Sequence, residues 1–194
     1  MRNLAILTFV TLDGIMQGPG SPDEDRSGGF TAGGWAALYW EEVMDQVRRE
    51  AMQTPYEMLF SRKTFDIFAD HFPKAGKSPE TDMMNAARKY VVTSTPGTLG
   101  WRNATAITGD IPAAVRELKD QDGPLLQVHG SGKLIQTLHA HGLIDEYRLW
   151  TFPVVVGSGK RLFEPGCATA ELHLTRCEPC ANGVVMRFYR CANP

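Results

Sequence analysis

Leu125-Leu126-Gln127-Val128-His129-Gly130-Ser131-Gly132-Lys133-Leu134 is the stretch that decides how the chain is read. The apolar run Leu125 to Val128 predicts a strand, two glycines and a serine make a turn, and Leu134-Ile135-Gln136-Thr137-Leu138 continues with helical spacing. Glycines at a strand-to-helix junction let the backbone approach a ligand closely. The unpaired N–H groups of the helix start, with the helix dipole behind them, favour an anion. A G-S-G turn can also join a strand to a helix and bind nothing, so its meaning depends on what surrounds it.

Upstream, Leu4 to Val10 is apolar without alternation and predicts a fully buried strand, closed by the Thr11-Leu12-Asp13-Gly14 turn. Met16 to Gly34 is rich in Gly, Pro, Ser and Asp; a loop this long inside a compact domain is usually functional, which predicts a loop over a ligand site. Trp40, Met44, Val47 and Ala51 give an amphipathic helix from about Leu38 to Gln53, with Glu41, Glu42 and Asp45 in its first half. Further strands are expected at Met58-Leu59-Phe60, Lys89 to Thr93 and Ala104 to Thr108, with a short helix at Asp82 to Arg88. Asp110 can cap a helix that has Pro112 in its first turn. Downstream, Glu146 to Phe152 precedes two partly alternating runs, Thr169 to Arg176 and Gly183 to Arg190, which flank the hairpin signal Asn182-Gly183. Strand–helix–strand units followed by a hairpin predict one α/β domain over residues 1–194. Its mixed, mostly parallel sheet would carry helices on both faces and end in an antiparallel C-terminal hairpin.

The chain has 194 residues, 43% hydrophobic and 22% charged, which is enough to bury a sizeable core. A net charge of −2 provides no basic field for nucleic acid or anionic lipid. Met1-Arg2-Asn3 before the Leu4–Val10 run is similar to a short signal sequence, but Thr8 and Thr11 interrupt the run and no small-residue cleavage site follows. No segment is long enough to span a bilayer, so a cytoplasmic protein with no membrane partner is expected. Of the four cysteines (Cys167, Cys177, Cys180 and Cys191), two form a C-x-x-C pair. A closed zinc site needs four ligands and no second pair is present, though His173 and Cys191 are nearby. A redox pair would normally open a helix, whereas this one precedes a turn and a strand. Reduced thiols and no metal are therefore expected, and His139 and His141 read as partners of a helix C-terminus.

Three strand ends share one chemistry. Ser61-Arg62-Lys63-Thr64 closes the second strand, Thr93-Ser94-Thr95 the third, and His129-Gly130-Ser131-Gly132-Lys133 the fifth. In open α/β sheets ligands sit at the carboxyl ends of strands. Cations beside hydroxyls and helix N–H groups suit a ligand carrying several phosphates. Each end alone also reads as ordinary loop chemistry.

These ends, in order with Thr11-Leu12-Asp13-Gly14, Lys89-Tyr90-Val91-Val92, Gly142-Leu143-Ile144-Asp145-Glu146-Tyr147 and Pro153-Val154-Val155-Val156-Gly157-Ser158-Gly159-Lys160, resemble the dihydrofolate reductase fold. The resemblance covers nearly the whole chain and points to the branch containing the RibD C-terminal domain. It implies NADPH as cofactor and hydride transfer to a small heterocyclic, imine or carbonyl substrate. Dihydrofolate or a ribosylaminopyrimidine are examples, although the zinc-dependent deaminase half that accompanies the latter chemistry is absent. It further implies that Arg62, Lys63 and Thr64 meet the 2′-phosphate and pyrophosphate, and Thr93, Ser94 and Thr95 the adenosine 2′-phosphate. Gly130, Ser131, Gly132, Lys133 and the following Leu134 would cradle the pyrophosphate, and the Thr11 to Met16 segment, including Ile15, would line the nicotinamide. One departure is Ser61, where the family usually has Gly; its Cβ would stand where the cofactor approaches. The resemblance places Asp45 as the carboxylate that binds substrate and assists protonation; a solvated helix face is the alternative. Trp35, Trp40 and Trp150 are candidates to stack on a planar substrate or to serve as core. Relatives of this branch are often homodimers, and the resemblance extends that expectation here. Two other classes remain open: a non-catalytic nucleotide sensor that keeps the cleft, and a zinc-stabilised structural protein.

Overall fold

The protein is described by a computed structural model covering residues 1–192, with the side chains of Ala51 and Met52 also outside the described residues. The strands are β1 (Leu4–Thr11), β2 (Tyr56–Ser61), β3 (Lys89–Val92), β4 (Ala104–Ile107), β5 (Leu125–Val128), β6 (Glu146–Phe152), β7 (Leu172–Pro179) and β8 (Val185–Cys191). The helices are α1 (Trp40–Gln53), α2 (Arg62–His71), α3 (Pro79–Ala86), α4 (Ile111–Asp120) and α5 (Gly132–Ala140). One sheet takes all the strands in the order β4-β3-β2-β5-β1-β6-β8-β7. Every pairing from β4 to β6 is parallel, whereas β6–β8 and β8–β7 are antiparallel. This is the mixed, mostly parallel sheet that the strand pattern predicts.

Alternation along the strands divides the core between the two faces. Leu4, Ile6 and Val10 of β1 meet Val115 and Leu118 of α4 and Leu134, Ile135 and Leu138 of α5. Leu7 points the other way, toward Val43 and Val47 of α1. In β2, Leu59 joins the first cluster, while Met58 and Phe60 pack on Phe65 of α2 and Met84 of α3. Truncating one such buried side chain to alanine typically costs about 2–5 kcal/mol. Because β5 inserts between β1 and β2, the carboxyl ends of β1, β5, β2 and β3 open on one edge. That edge positions the site.

Several boundaries differ from the sequence expectation for local reasons. α3 starts three residues earlier than Asp82, because Ser78 Oγ accepts from Thr81 N at 3.1 Å and Pro79 fits the first turn. A 3-10 turn, Ala37–Tyr39, precedes α1. The strand expected at Thr169 to Arg176 is shifted to Leu172–Pro179, with a bulge between Leu174 and Arg176. Cys177 therefore lies within an edge strand, with Cys180 in the turn that follows it.

Candidate functional site

A cleft of about 1230 Å³ opens at the shared strand edge. Its rim is built from the three polar strand ends. Ser61, Arg62, Lys63 and Thr64 form the β2–α2 junction, Thr93, Ser94 and Thr95 follow β3, and Gly130, Ser131, Gly132, Lys133 and Leu134 lead into α5. The chain can turn there because Gly130 adopts a left-handed φ of +64°, preceding a cis Gly130–Ser131 peptide. Ser131 is the N-cap residue of α5 but makes no side-chain cap bond, so no side chain of its own satisfies the first N–H groups of that helix. A Cβ at Gly132 would stand 3.4 Å from Met16 Sδ, an ordinary contact. Thr93 Oγ1 accepts from Thr95 N at 3.1 Å and so fixes the hydroxyl loop after β3.

Ser61 has a local role that explains its presence. It is the N-cap residue of α2, and its Oγ faces Thr64 N at 3.5 Å, at the long limit for a hydrogen bond. Arg62 is held by Asp66 at 2.8 Å and reaches Thr95 O at 3.3 Å, which ties two of the rim segments together. Lys63 is paired with Asp25 at 2.7 Å, and Lys160 meets the same carboxylate at 2.6 Å. Asp25 belongs to the long Gly-rich loop, which therefore lies over the cleft with Met16, Gln17, Gly18 and Pro19 also lining it. The two ammonium groups, with the Ser27 side chain and N–H, outweigh burial and hold the Asp25 carboxyl well below the usual carboxylate range.

The inner part of the cleft has different walls. Trp40, Met44, Val47 and Arg48 come from α1, Phe68 and Phe72 from α2, Glu80, Thr81 and Met84 from α3, and Leu7 and Phe9 from β1. His129 forms part of its floor, with its ring centre 5.7 Å from that of Phe68, 6.3 Å from Phe60 and 6.4 Å from Tyr56. Burial pushes the His129 imidazole down to about 4, and the Arg148 charge acts in the same direction. Burial likewise pushes the Tyr56 phenol up. Arg48 donates to Glu80 at 2.9 Å, so the charges on this wall neutralise each other.

Not every expected residue reaches the cleft. Asp45 does not line it: its carboxylate is 61% exposed and bonded to Arg48 at 2.6 Å. The reason is helix phase, since Met44 takes the inward position and its neighbour is rotated about 100° away. Trp150 is fully buried in the core, donating Nε1–H to Gln46 Oε1 at 3.0 Å, and Trp35 is core as well. Trp40 does stand on the cleft wall, edge-on to Phe9 at 5.9 Å. Thr11 and Ile15 are sealed behind the wall. The Thr11 hydroxyl donates to Asp13 at 2.6 Å and accepts from Ile15 N at 2.9 Å, and Met16 alone of that segment lines the cleft. That hydroxyl, with the N–H groups of Gly157 and Val156, lowers the Asp13 carboxyl to about 2.

Sequence reasoning missed Asp25, Lys160, Met44, Val47, Tyr56 and Met84 as lining residues. Asp25 carried a signal as a carboxylate inside a loop read as covering the site, Met44 and Val47 as part of an apolar helix stripe, and Lys160 as the end of the Pro153 to Lys160 run. The four cysteines are unpaired, and burial pushes the Cys180 thiol up. Among the described residues no group of three or more His, Cys, Asp or Glu side chains could hold a metal ion. Among them, too, no helix is long and apolar enough to cross a membrane.

This strand order and cleft define a dihydrofolate reductase-like protein. Within that class the chain belongs to the RibD C-terminal domain family, which it matches over residues 2–186. It is 28% identical over 197 residues to the uncharacterized protein YyaP of Bacillus subtilis (strain 168), covering 97% of this chain and 94% of that protein. Among solved structures it is similar to a candidate riboflavin biosynthesis protein from Shewanella sp. PV-4, with a TM-score of 0.65, 16% identity and all of both chains covered. Enterococcus faecalis dihydrofolate reductase complexed with NADP(H) gives a TM-score of 0.64 at 12% identity, covering 98% of this chain and 97% of that one. A pyrimidine reductase-like protein from Corynebacterium diphtheriae gives 0.66 at 10% identity, covering 100% and 93%.

Proposed function

We propose that the protein is an NADPH-dependent oxidoreductase that reduces a small heterocyclic, imine or carbonyl substrate by hydride transfer. The observation that carries this reading is the convergence of three polar strand ends on one cleft, beside a helix start with no capping side chain. The cleft exceeds the roughly 300–1,000 Å³ typical of small-ligand pockets, which suits an extended dinucleotide together with a substrate. The first turn of α5, with Lys133, would hold the pyrophosphate, and Arg62 with Thr93, Ser94 and Thr95 the 2′-phosphate. Ser61 keeps its Cβ on the rim, while its hydroxyl turns to its own helix. A bound reduced nicotinamide would supply the hydride.

The test is titration with NADPH and with NADH, followed by tryptophan fluorescence. NADPH should bind in the micromolar range; failure of both cofactors to bind would sink the proposal. Arg62→Ala should weaken NADPH about 10- to 100-fold, as loss of a charge-assisted phosphate contact does, and should leave NADH nearly unchanged. A second reading, a nucleotide-binding sensor without catalysis, draws support from the absence of an α1 carboxylate from the cleft lining. Steady NADPH oxidation with any carbonyl or imine compound would eliminate it.

A further inference from the structure

The inner chamber has a polarity that the rim lacks. Its walls are Phe9, Trp40, Met44, Val47, Phe68 and Met84. Of the carboxylates lining the cleft, Glu80 is paired by Arg48 at 2.9 Å, Asp25 is paired by Lys63 and Lys160, and Glu24, beside Trp40, accepts from Gly20 N at 2.6 Å. An ion entering the chamber would lose its water without meeting an unpaired counter-charge. One polar group on the floor is differently placed. His129 is held neutral by burial, and its Nε2 lies 2.8 Å from Gln127 Nε2. With the Gln127 amide N–H donating to that nitrogen, the neutral ring carries its proton on Nδ1. Nδ1 has no protein partner among the described residues, and the residue lines the cleft.

From this we infer that the chamber selects an uncharged, flat carbonyl or imine compound, and that His129 anchors it by donating a hydrogen bond from Nδ1 to the oxygen or nitrogen of the polar double bond. The inference rests on the reductase reading for the use made of that group, but the binding itself needs no cofactor. His129 then acts as a donor that is neutral throughout the physiological range, and the ring's second nitrogen, fixed by Gln127, sets its orientation. A carboxylate or ammonium on the same ring would be excluded by the chamber's lack of a free partner.

The test uses four small probes of similar size, acetophenone, cumene, benzoate and benzylammonium, with binding read by ligand-observed NMR on the free and the NADPH-saturated protein. Acetophenone should bind best, with each ion at least about tenfold weaker. His129→Phe keeps the ring volume but removes the donor, so it should abolish the preference for acetophenone over cumene, a loss of about 3- to 10-fold. His129→Gln should restore part of it. In the wild-type protein, ¹⁵N-labelled histidine should show His129 as the neutral Nδ1–H tautomer at pH 7. The inference is overturned if the ions bind as tightly as acetophenone, if His129→Phe keeps the acetophenone preference, if the proton is on Nε2, or if acetophenone binds neither form. Failure of NADPH to bind while acetophenone still binds through His129 would instead remove the reductase reading and leave the chamber's selectivity standing.

Discussion

The rim and the inner chamber share one cleft but are built by opposite rules. The rim is made of contiguous segments, each a strand end running into a turn or helix start, so its chemistry is written in short runs such as Arg62-Lys63-Thr64. The chamber takes scattered residues from α1, α2, α3, β1 and β2 that only the packing of those elements brings together. The rim presents cations and backbone N–H groups. The chamber presents mostly apolar surface, with the self-neutralising Arg48–Glu80 pair and the buried imidazole of His129. A family that keeps its cofactor while changing its substrate would be expected to conserve the first construction and vary the second.

The largest expected effect separates the rim from the fold. Gly132 has no positive φ and its Cβ would meet only Met16 Sδ, at 3.4 Å, so an aspartate fits the backbone there. A carboxylate in the first turn of α5 suits the helix dipole and should leave the melting temperature unchanged or slightly higher. It would also repel a phosphate at that turn, which predicts NADPH affinity lower by about 100-fold or more. If Gly132→Asp binds NADPH normally, the pyrophosphate does not lie at α5.

The next effect belongs to the chamber. His129 titrates near 4 in the folded protein against an ordinary value of 6.5. Between those values the unfolded chain binds a proton that the folded protein does not, so stability rises with pH across that window. The full contribution is present above about pH 6.5 and is lost as pH falls toward 4, on the order of 3 kcal/mol. Urea unfolding at a series of pH values should show this slope in the wild type and its absence in His129→Phe. Asp13 acts in a lower window. Its carboxyl is held at about 2 against 3.8, so its contribution is complete above 3.8 and disappears as pH falls through 2. The two slopes are therefore separable in one experiment.

A smaller effect lies where the covering loop meets the rim. Asp25 is only 15% exposed, but Lys63 and Lys160 are each about half exposed, so solvent screens both pairs. Asp25→Asn should cost about 1 kcal/mol in urea unfolding and should speed amide exchange from Gln17 to Ser27. Unchanged exchange would mean that Gln17, whose Nε2 donates to Asp25 O at 3.0 Å and to Ser27 O at 2.9 Å, holds the loop alone.

The same contrast explains what was readable in advance. The strands, every helix except α2, the hydroxyl and cationic strand ends and the hairpin follow from local periodicity and turn residues. Which aromatic lines the cleft does not. Trp40 and Trp150 are chemically alike, but Trp150 alternates onto a sheet face that α1 seals through Gln46, while Trp40 starts that helix on the cleft wall. The Trp40–Met44–Val47 stripe was legible as an apolar helix face, and such a face normally packs on a core. Val47 does both, joining the core cluster and the cleft wall. Periodicity specifies the face of a helix but not whether protein or a ligand covers it.

Asp45 gives the smallest and most diagnostic expectation. The family resemblance points to it as the proton-assisting carboxylate, whereas helix phase turns it to solvent, where its partner is the half-exposed Arg48. Exposed pairs at this spacing contribute only about 0.3–0.5 kcal/mol, and Arg48 keeps its bond to Glu80 when Asp45 is removed. Asp45→Asn should therefore change stability by less than about 0.5 kcal/mol, and should alter NADPH affinity and turnover of any identified substrate by less than about twofold. A 100-fold loss of turnover with unchanged NADPH binding would require α1 to rotate by roughly a quarter turn when substrate enters. With Met44 in the chamber wall, Met44→Ala should weaken acetophenone binding; that rotation would carry Met44 out of the wall, and Met44→Ala would then leave acetophenone binding unchanged. The pair of variants thus decides whether the chamber seen here, apolar and anchored by His129, is the one that meets the substrate.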